Sequence, residues 1–522
     1  MKDIVGNPSR RAFLKTGAAF GGGIFAAGMP LSQSIWAAEG KVLKARGPRD
    51  IVNLDPGFFQ GGPDVDVMNC IYSKLTHYKP GSDWGWELEA AEKVEQVDPT
   101  NIRFRLKKGI KFTGGYGELT ARDVKFSFER SAAIADWGPL DHVEIEGDYT
   151  GVIVLKTPFA PLWTLALPYG VGHIVSEDAV MKATSDGGDF GMKPPAFSGP
   201  YMLADWKANQ YLLLTRNPDW SGPKPGFDEI RILPIADLKT AERAYQAGDL
   251  DFTSISLDSL AKFKNTPPAD TKVEEHPSLR YAWIGMNMDH PKLKDINVRK
   301  AIQWAINVPQ ILEAAYAGHA DAATGIIAPG VVGHREKALV PPEGDLAKAK
   351  DFLEKAGVSD LHLTIDCQNV STFSTVAVIV QAQLSQIGIA VEIKVQDRGS
   401  FSTVGNESKG ERWKDLQLIL NDFSSLPDPS YATSSFLQSQ VGVWNWERFR
   451  SERFDELHAK AITLDDPDER AKLYYEMQDL MEESGAYRFL THGGNPVVYR
   501  TSQTQAATRP DGVPLYLDFS PV

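Results

Sequence analysis

Leu106-Lys107-Lys108-Gly109-Ile110-Lys111-Phe112 and, after a glycine-rich turn, Leu119-Thr120-Ala121-Arg122-Asp123-Val124-Lys125-Phe126-Ser127-Phe128-Glu129-Arg130 decide the fold of this chain. Just upstream, Ile102, Phe104 and Leu106 alternate with polar residues, the pattern of a half-buried strand. Gly109, Gly114 and Gly115 permit tight turns. Thr120 is placed as an N-cap with Asp123 three residues on. This is a capping box whose acid also meets the positive end of the helix.

Outward from that unit, short strands and helices alternate. Residues 151–156 and 211–215 read as strands, and 217–227 as a loop dense in turn formers. Apolar positions Val298, Ala301, Ile302, Ala305 and Ile306 predict one long helix over 298–315. A helix over 346–356 stops at Gly357, and another over 376–387 ends at Gly388 before a strand at 389–395. A late helix spans 468–483. Residues 281–288 are apolar with a β bias and are broken by Asp289-His290-Pro291, so they read as a strand crossing between lobes. The class is α/β, mixed with α+β, and no repeat of 20–50 residues is present.

The chain has 522 residues, 68 Asp and Glu against 55 Lys and Arg, and a net charge of −13. That length implies several domains. The acidic excess argues against nucleic-acid binding, because phosphate recognition leaves a basic excess. Cys70 and Cys367 are too few for a disulfide framework or a Cys-based metal site.

Ser9-Arg10-Arg11-Ala12-Phe13-Leu14-Lys15 carries the twin-arginine export pattern. The apolar run at 16–29 is shorter than the ~20 residues a membrane-spanning helix needs and fits a signal h-region. Residues 1–38 are therefore expected to be a twin-arginine signal peptide, cleaved to leave the mature protein in a periplasm. Losing four basic residues and one acidic residue takes the charge from −13 to −16. No Cys near the cleavage region calls for a lipid anchor. No later apolar run predicts membrane insertion of the mature chain.

Several stretches together resemble the bacterial extracellular solute-binding proteins of family 5, the peptide- and nickel-binding components of ABC importers. The match is strongest in the opening stretch and continues through Leu54-Asp55-Pro56, Ser198-Gly199-Pro200-Tyr201, Arg216-Asn217-Pro218-Asp219-Trp220 and Gly248-Asp249-Leu250-Asp251. Val298-Arg299-Lys300-Ala301-Ile302, Pro427-Asp428-Pro429 and Phe454-Asp455-Glu456-Leu457 complete it. The resemblance implies a two-lobe clamshell with an extra domain. Lobe I would comprise 41–75, 196–285 and a C-terminal return over 491–522. The extra domain would be 76–195 and lobe II 286–490. Closure about hinges at 281–288 and 490–496, the latter holding Gly493 and Gly494, would trap the ligand. A disulfide between Cys70 and Cys367 would oppose that motion, so both are expected as free thiols.

The resemblance also places ligand contacts. One candidate loop follows Leu54-Asp55-Pro56 and contains Gln60, Gly61 and Gly62; an ordinary surface turn is the competing reading. A second region holds Asp422 and Ser425, near the place where peptide-binding members carry an amine-pairing Asp. No Arg occurs over 361–397, where dipeptide-binding members hold a carboxylate. Trp444, Asn445 and Trp446 complete the set; in an extended segment both indoles face one side and can stack on a ligand. Core packing is the alternative for the two Trp.

The expected function is capture of a peptide or similar small organic solute by a monomer that docks on a membrane permease and ATPase complex. Oligosaccharides, opine-like compounds and nickel chelates are alternative ligands. No cofactor, metal site or catalytic residue is expected. A secreted serine hydrolase is the alternative from another class. Ser259-Leu260-Ala261-Lys262 fits S-x-x-K, but the only Lys-Thr-Gly lies in the signal, at residues 15–17. The ten His show no ligand-like spacing, and His492 reads as structural.

Overall fold

The structure, a computed structural model, describes residues 40–135, 137–185 and 187–522. The expected signal peptide lies outside the described residues. Three sheets organise the rest. The largest has seven strands in the order Tyr201–Lys207, Tyr211–Arg216, Glu229–Pro234, Val42–Gly47, Phe252–Ser254, Val497–Arg500 and Thr271–Glu274. Val42–Gly47 runs parallel to both its neighbours, and the outer pairings are antiparallel. A five-stranded sheet has the order Ile389–Gln396, Leu361–Gln368, Leu418–Ser424, Arg280–Met286 and Tyr487–Thr491. An antiparallel four-stranded sheet joins Ala91–Asp98, Asn101–Leu106, Thr150–Leu155 and Leu140–Gly147.

The opening stretch forms as its residues dictate. Ile102, Phe104 and Leu106 are buried while Arg103 and Arg105 are exposed. Asp123 accepts from the Thr120 backbone N–H at 3.0 Å and from its hydroxyl at 3.0 Å, which starts the helix Ala121–Ile134. Val124 and Phe128 on that helix are fully buried, and one apolar core runs from the four-stranded sheet into the seven-stranded one. The five-stranded sheet has a separate core on each side.

Two readings are corrected. Residues 298–315 are two helices, Ile296–Ala305 and Val308–Ala315. Pro309 has no N–H to bond the Ala305 carbonyl four residues back and its ring would clash there, so one helix cannot run through, and Asn307 caps the second helix through Gln310 N–H at 3.0 Å. Gln383 bonds both the N–H and the carbonyl of Asn307 at 3.1 and 3.0 Å, so the backbone of Asn307 is paired at the break. Residues 281–288 do not cross between lobes. Arg280–Met286 is an inner strand, hydrogen-bonded to Leu418–Ser424 on one side and Tyr487–Thr491 on the other. The chain passes between the two large sheets at 275–279 and at 492–496. Among the described residues no helix is long and apolar enough to cross a membrane. Cys70 and Cys367 are both free and buried.

Candidate functional site

The two crossings lie side by side. Pro277 and Gly494 form an antiparallel bridge, and Asn495 N–H donates to the His276 carbonyl at 2.9 Å. Gly493 has φ +67°, the left-handed region that favours glycine, and its N–H donates to Thr491 Oγ1 at 2.8 Å. His492 is buried and donates from Nδ1 to the Arg280 carbonyl at 2.9 Å. Burial pushes its pKa down to about 4, so it stays neutral. A cleft of about 910 Å³ opens beside the crossings, lined from both halves by Pro80, Glu274, His276, Pro329, Thr508 and Pro510.

Away from the crossings the halves also meet. Thr164 Oγ1 donates to Asp428 at 2.9 Å, Ala160 N–H donates to the Ile462 carbonyl at 2.8 Å, and Trp84 packs against cores of both halves. Trp84 stands edge-on to Tyr78 at 6.0 Å, and the Arg509 guanidinium lies 5.7 Å from each ring. Opposite, Phe423 meets Trp283 at 5.0 Å, Tyr281 at 6.1 Å and Trp444 at 6.0 Å. Trp283, Tyr281 and Tyr78 are buried, while Trp444 is half-exposed and suited to apolar or cationic groups.

Most charged groups here are already paired. Asp422 Oδ2 accepts from Arg280 Nε at 2.6 Å. Asp428 is fully buried, accepts from Arg470 at 3.0 Å on both oxygens, and caps the helix Pro429–Ser434. Arg509 grips Asp511 at 3.1 and 2.8 Å. Glu447 is fully buried and accepts from Trp283 Nε1 at 2.7 Å; burial pushes its pKa up to about 7.

The candidate residues fall in three places. Gln60, Gly61 and Gly62 form a loop fastened by buried Asp64, which accepts from Gln60 N–H at 2.7 Å and Val52 N–H at 2.8 Å and pairs with Arg49 at 3.0 Å. Gly61 has φ +111°, and a side chain there would meet only the Arg49 guanidinium, at 3.8 Å. Asp422, Ser425 and Trp444 gather around Phe423, with Ser425 N–H donating to the Leu279 carbonyl at 3.1 Å. Asn445 and Trp446 turn inward. The Asn445 amide donates to three backbone carbonyls, which uses both its N–H groups, and accepts from Phe449 N–H at 3.0 Å. Trp446 is buried against Phe401, and its Nε1 donates to the Val443 carbonyl at 2.9 Å. The two Trp do not share a face, because residues 441–447 are turns rather than an extended strand: Trp444 is 51% exposed and Trp446 5%.

Sequence reasoning missed Tyr78, Trp84 and Arg509, which come from widely separated segments. Ser259, the S-x-x-K serine, donates to buried Glu242 at 2.7 Å and accepts from Lys239 Nζ at 2.5 Å. Its hydroxyl ties two helices together. Among the described residues no group of three or more His, Cys, Asp or Glu is placed to hold a metal ion.

Residues 86–443 match the family of bacterial extracellular solute-binding proteins, family 5 Middle. The chain belongs to that family. It is 27% identical over 461 residues to the probable D,D-dipeptide-binding periplasmic protein DdpA of Escherichia coli K12, covering 84% of this chain and 86% of that one. The oligopeptide-binding protein AppA of Bacillus subtilis 168 is also 27% identical over 461 residues, with coverages of 83% and 82%. The periplasmic binding protein DppA of Helicobacter pylori, solved with the peptide STSA, shares the fold. Its TM-score is 0.75 at 24% identity, covering 92% of this chain and 97% of that one. These relatives are solute-binding proteins rather than enzymes, and the fold is that of periplasmic binding proteins of the peptide-binding type.

Proposed function

We propose that this protein captures short peptides in the periplasm and delivers them to an ABC importer permease and its ATPase. It would be exported by the twin-arginine route and work as a monomer, without catalysis. The observation that carries the reading is the pair of adjoining crossings. Two halves joined there by only two short, mutually hydrogen-bonded segments can open and close as rigid bodies, with the cleft between them. The dipeptide-binding DdpA and the oligopeptide-binding AppA supply the peptide class. In this reading lobe I is built on the seven-stranded sheet, lobe II on the five-stranded sheet and the extra domain on the four-stranded sheet. The ligand lies against the aromatic surfaces at their junction, with Phe423 and Trp444 on the lobe II side and the 60–62 loop on the lobe I side.

A ligand that binds only the folded state raises stability as RT ln(1 + [L]/Kd). Thermal-shift titration with tripeptides, oligosaccharides, opine-like compounds and nickel chelates tests the reading. A saturable rise with the peptides is the expected result. A rise with sugars or nickel chelates alone overturns the peptide assignment.

A further inference from the structure

The four-stranded sheet shares one continuous apolar core with the seven-stranded sheet, whereas the cores flanking the five-stranded sheet are separate. The first two sheets therefore move as one body when the halves open. Residues 159–164 belong to that body and reach across to the other. Ala160, which opens the short turn Ala160–Leu162, gives its N–H to the Ile462 carbonyl at 2.8 Å. Four residues on, Thr164 gives its hydroxyl to Asp428 Oδ2 at 2.9 Å. Leu426 of the five-stranded half packs on the shared core, and Gln96 Nε2 donates to Asp465 at 3.2 Å. All of these contacts lie away from the crossings, so rotation about the crossings breaks them.

Both sides of the contact are built before they meet. The two main acceptors come from distant segments and are brought together by one buried side chain. Arg470 donates from Nε to the Ala461 carbonyl at 2.9 Å and from Nη2 to both Asp428 oxygens at 3.0 Å. Its guanidinium is planar and rigid, so it fixes Asp428 and the 461–462 backbone in one geometry. Asp428 also accepts from Ser430 N–H at 2.9 Å. The donor side is held as firmly. The Thr164 carbonyl accepts from the Tyr78 hydroxyl, and Trp163 stacks at 5.4 Å on Trp86, the residue paired with Tyr78 across the hairpin. Two preformed surfaces lose little freedom on meeting.

We infer that residues 159–164 are a latch that fastens the closed clamshell, and that Arg470 builds the socket that receives it. The four-stranded region thereby acts in capture without touching the ligand: it stabilises the closed form, with Thr164 and Arg470 as positioning residues. The inference rests on the opening and closing of the halves proposed above and adds what holds them shut. A hydroxyl donating to a carboxylate makes a charge-assisted bond, stronger than a neutral one. A change in the closed fraction passes directly into apparent affinity. Thr164→Val removes that bond while keeping the shape of the side chain, and it leaves Asp428 paired with Arg470.

Site-resolved amide hydrogen exchange on the purified protein tests the latch without any ligand, because the Ala160 N–H has its acceptor across the boundary. Ala160 should be protected in wild type and exchange roughly 10-fold faster in Thr164→Val, the scale of one hydrogen bond to a charged group. Leu167, whose N–H bonds to the Leu162 carbonyl within the same body at 3.0 Å, should not change. Thr164→Ser, which keeps the hydroxyl, should behave as wild type. In calorimetric titration with synthetic tripeptides of Ala, Ser and Leu, Thr164→Val should bind roughly 10-fold more weakly than wild type. An unprotected Ala160 in wild type, equal exchange in wild type and Thr164→Val, or a Thr164→Ser protein that behaves like Thr164→Val overturns the latch. Acceleration of Leu167 together with Ala160 marks a fixed joint that melts locally, and overturns it too. Equal peptide affinity of wild type and Thr164→Val overturns the latch and leaves peptide capture standing. Failure of wild type to bind the tripeptides at about 1 mM, where only weak binding is left to detect, overturns peptide capture, and the exchange rates alone then decide the latch.

Discussion

Two regions that face the junction treat their polar groups differently. Over residues 421–446 of the five-stranded half, Asp422 and Asp428 each hold an arginine, and Asn445 spends its amide on the backbone. Over the 60–62 loop of the seven-stranded half, the Gly61 backbone is open and the one engaged acid, Asp64, fastens the loop from within. Residue type would favour the first region as the binding surface, since it carries the Asp, Asn and Trp of a ligand site. Their hydrogen bonds argue against that, because a group already paired has little to gain from a ligand. The first region then serves as an aromatic wall on a rigid frame.

The largest expected effect comes from breaking that frame. Arg470→Met strands the fully buried Asp428 without its cation and should cost about 3–5 kcal/mol in denaturant unfolding. A loss below about 1 kcal/mol would mean the pair is not structural. The two Trp sharpen the contrast within the wall. Trp446→Ala removes a buried ring and should cost about 3–5 kcal/mol. Trp444→Ala, at a half-exposed ring, should change stability by about 0.5 kcal/mol or less. Equal losses would show that the Trp444 ring belongs to the core.

What was legible in the sequence was mostly local. The Thr120–Asp123 box and the stops at Gly357 and Gly388, with φ of +62° and +83°, depend on neighbours a few residues away. The crossings were misplaced because Arg280–Met286 is fixed by partners far along the chain, Leu418–Ser424 and Tyr487–Thr491. The break at Asn307 was missed although Pro309 announces it, since the apolar spacing of 298–315 continues across it. The inward turn of Trp446 follows from turns at 441–447 that a Val-Trp-Asn-Trp string does not disclose. Tyr78, Trp84 and Arg509 meet only in three dimensions.

Glu447 offers a middle case, a buried carboxylate satisfied by a proton rather than a cation. Its folded pKa of about 7 lies above the unfolded value, so the stability it contributes is fully present below about pH 4.5. That stability is lost as pH rises through about 7. Glu447→Gln keeps an acceptor for Trp283 Nε1 and removes the titration. At pH 8 the variant should exceed wild type by up to about 3 kcal/mol, and the difference should vanish near pH 4.5. Parallel stability curves for the two proteins across that range would show that Glu447 does not titrate there.

The exposed ion pair at the edge of the wall makes a small contribution. Arg280→Gln removes the cation from Asp422, and Arg280 is 59% exposed, so stability should fall by no more than about 1 kcal/mol. A fall of several kcal/mol in denaturant unfolding would show instead that the Arg280–Asp422 pair belongs to the rigid frame.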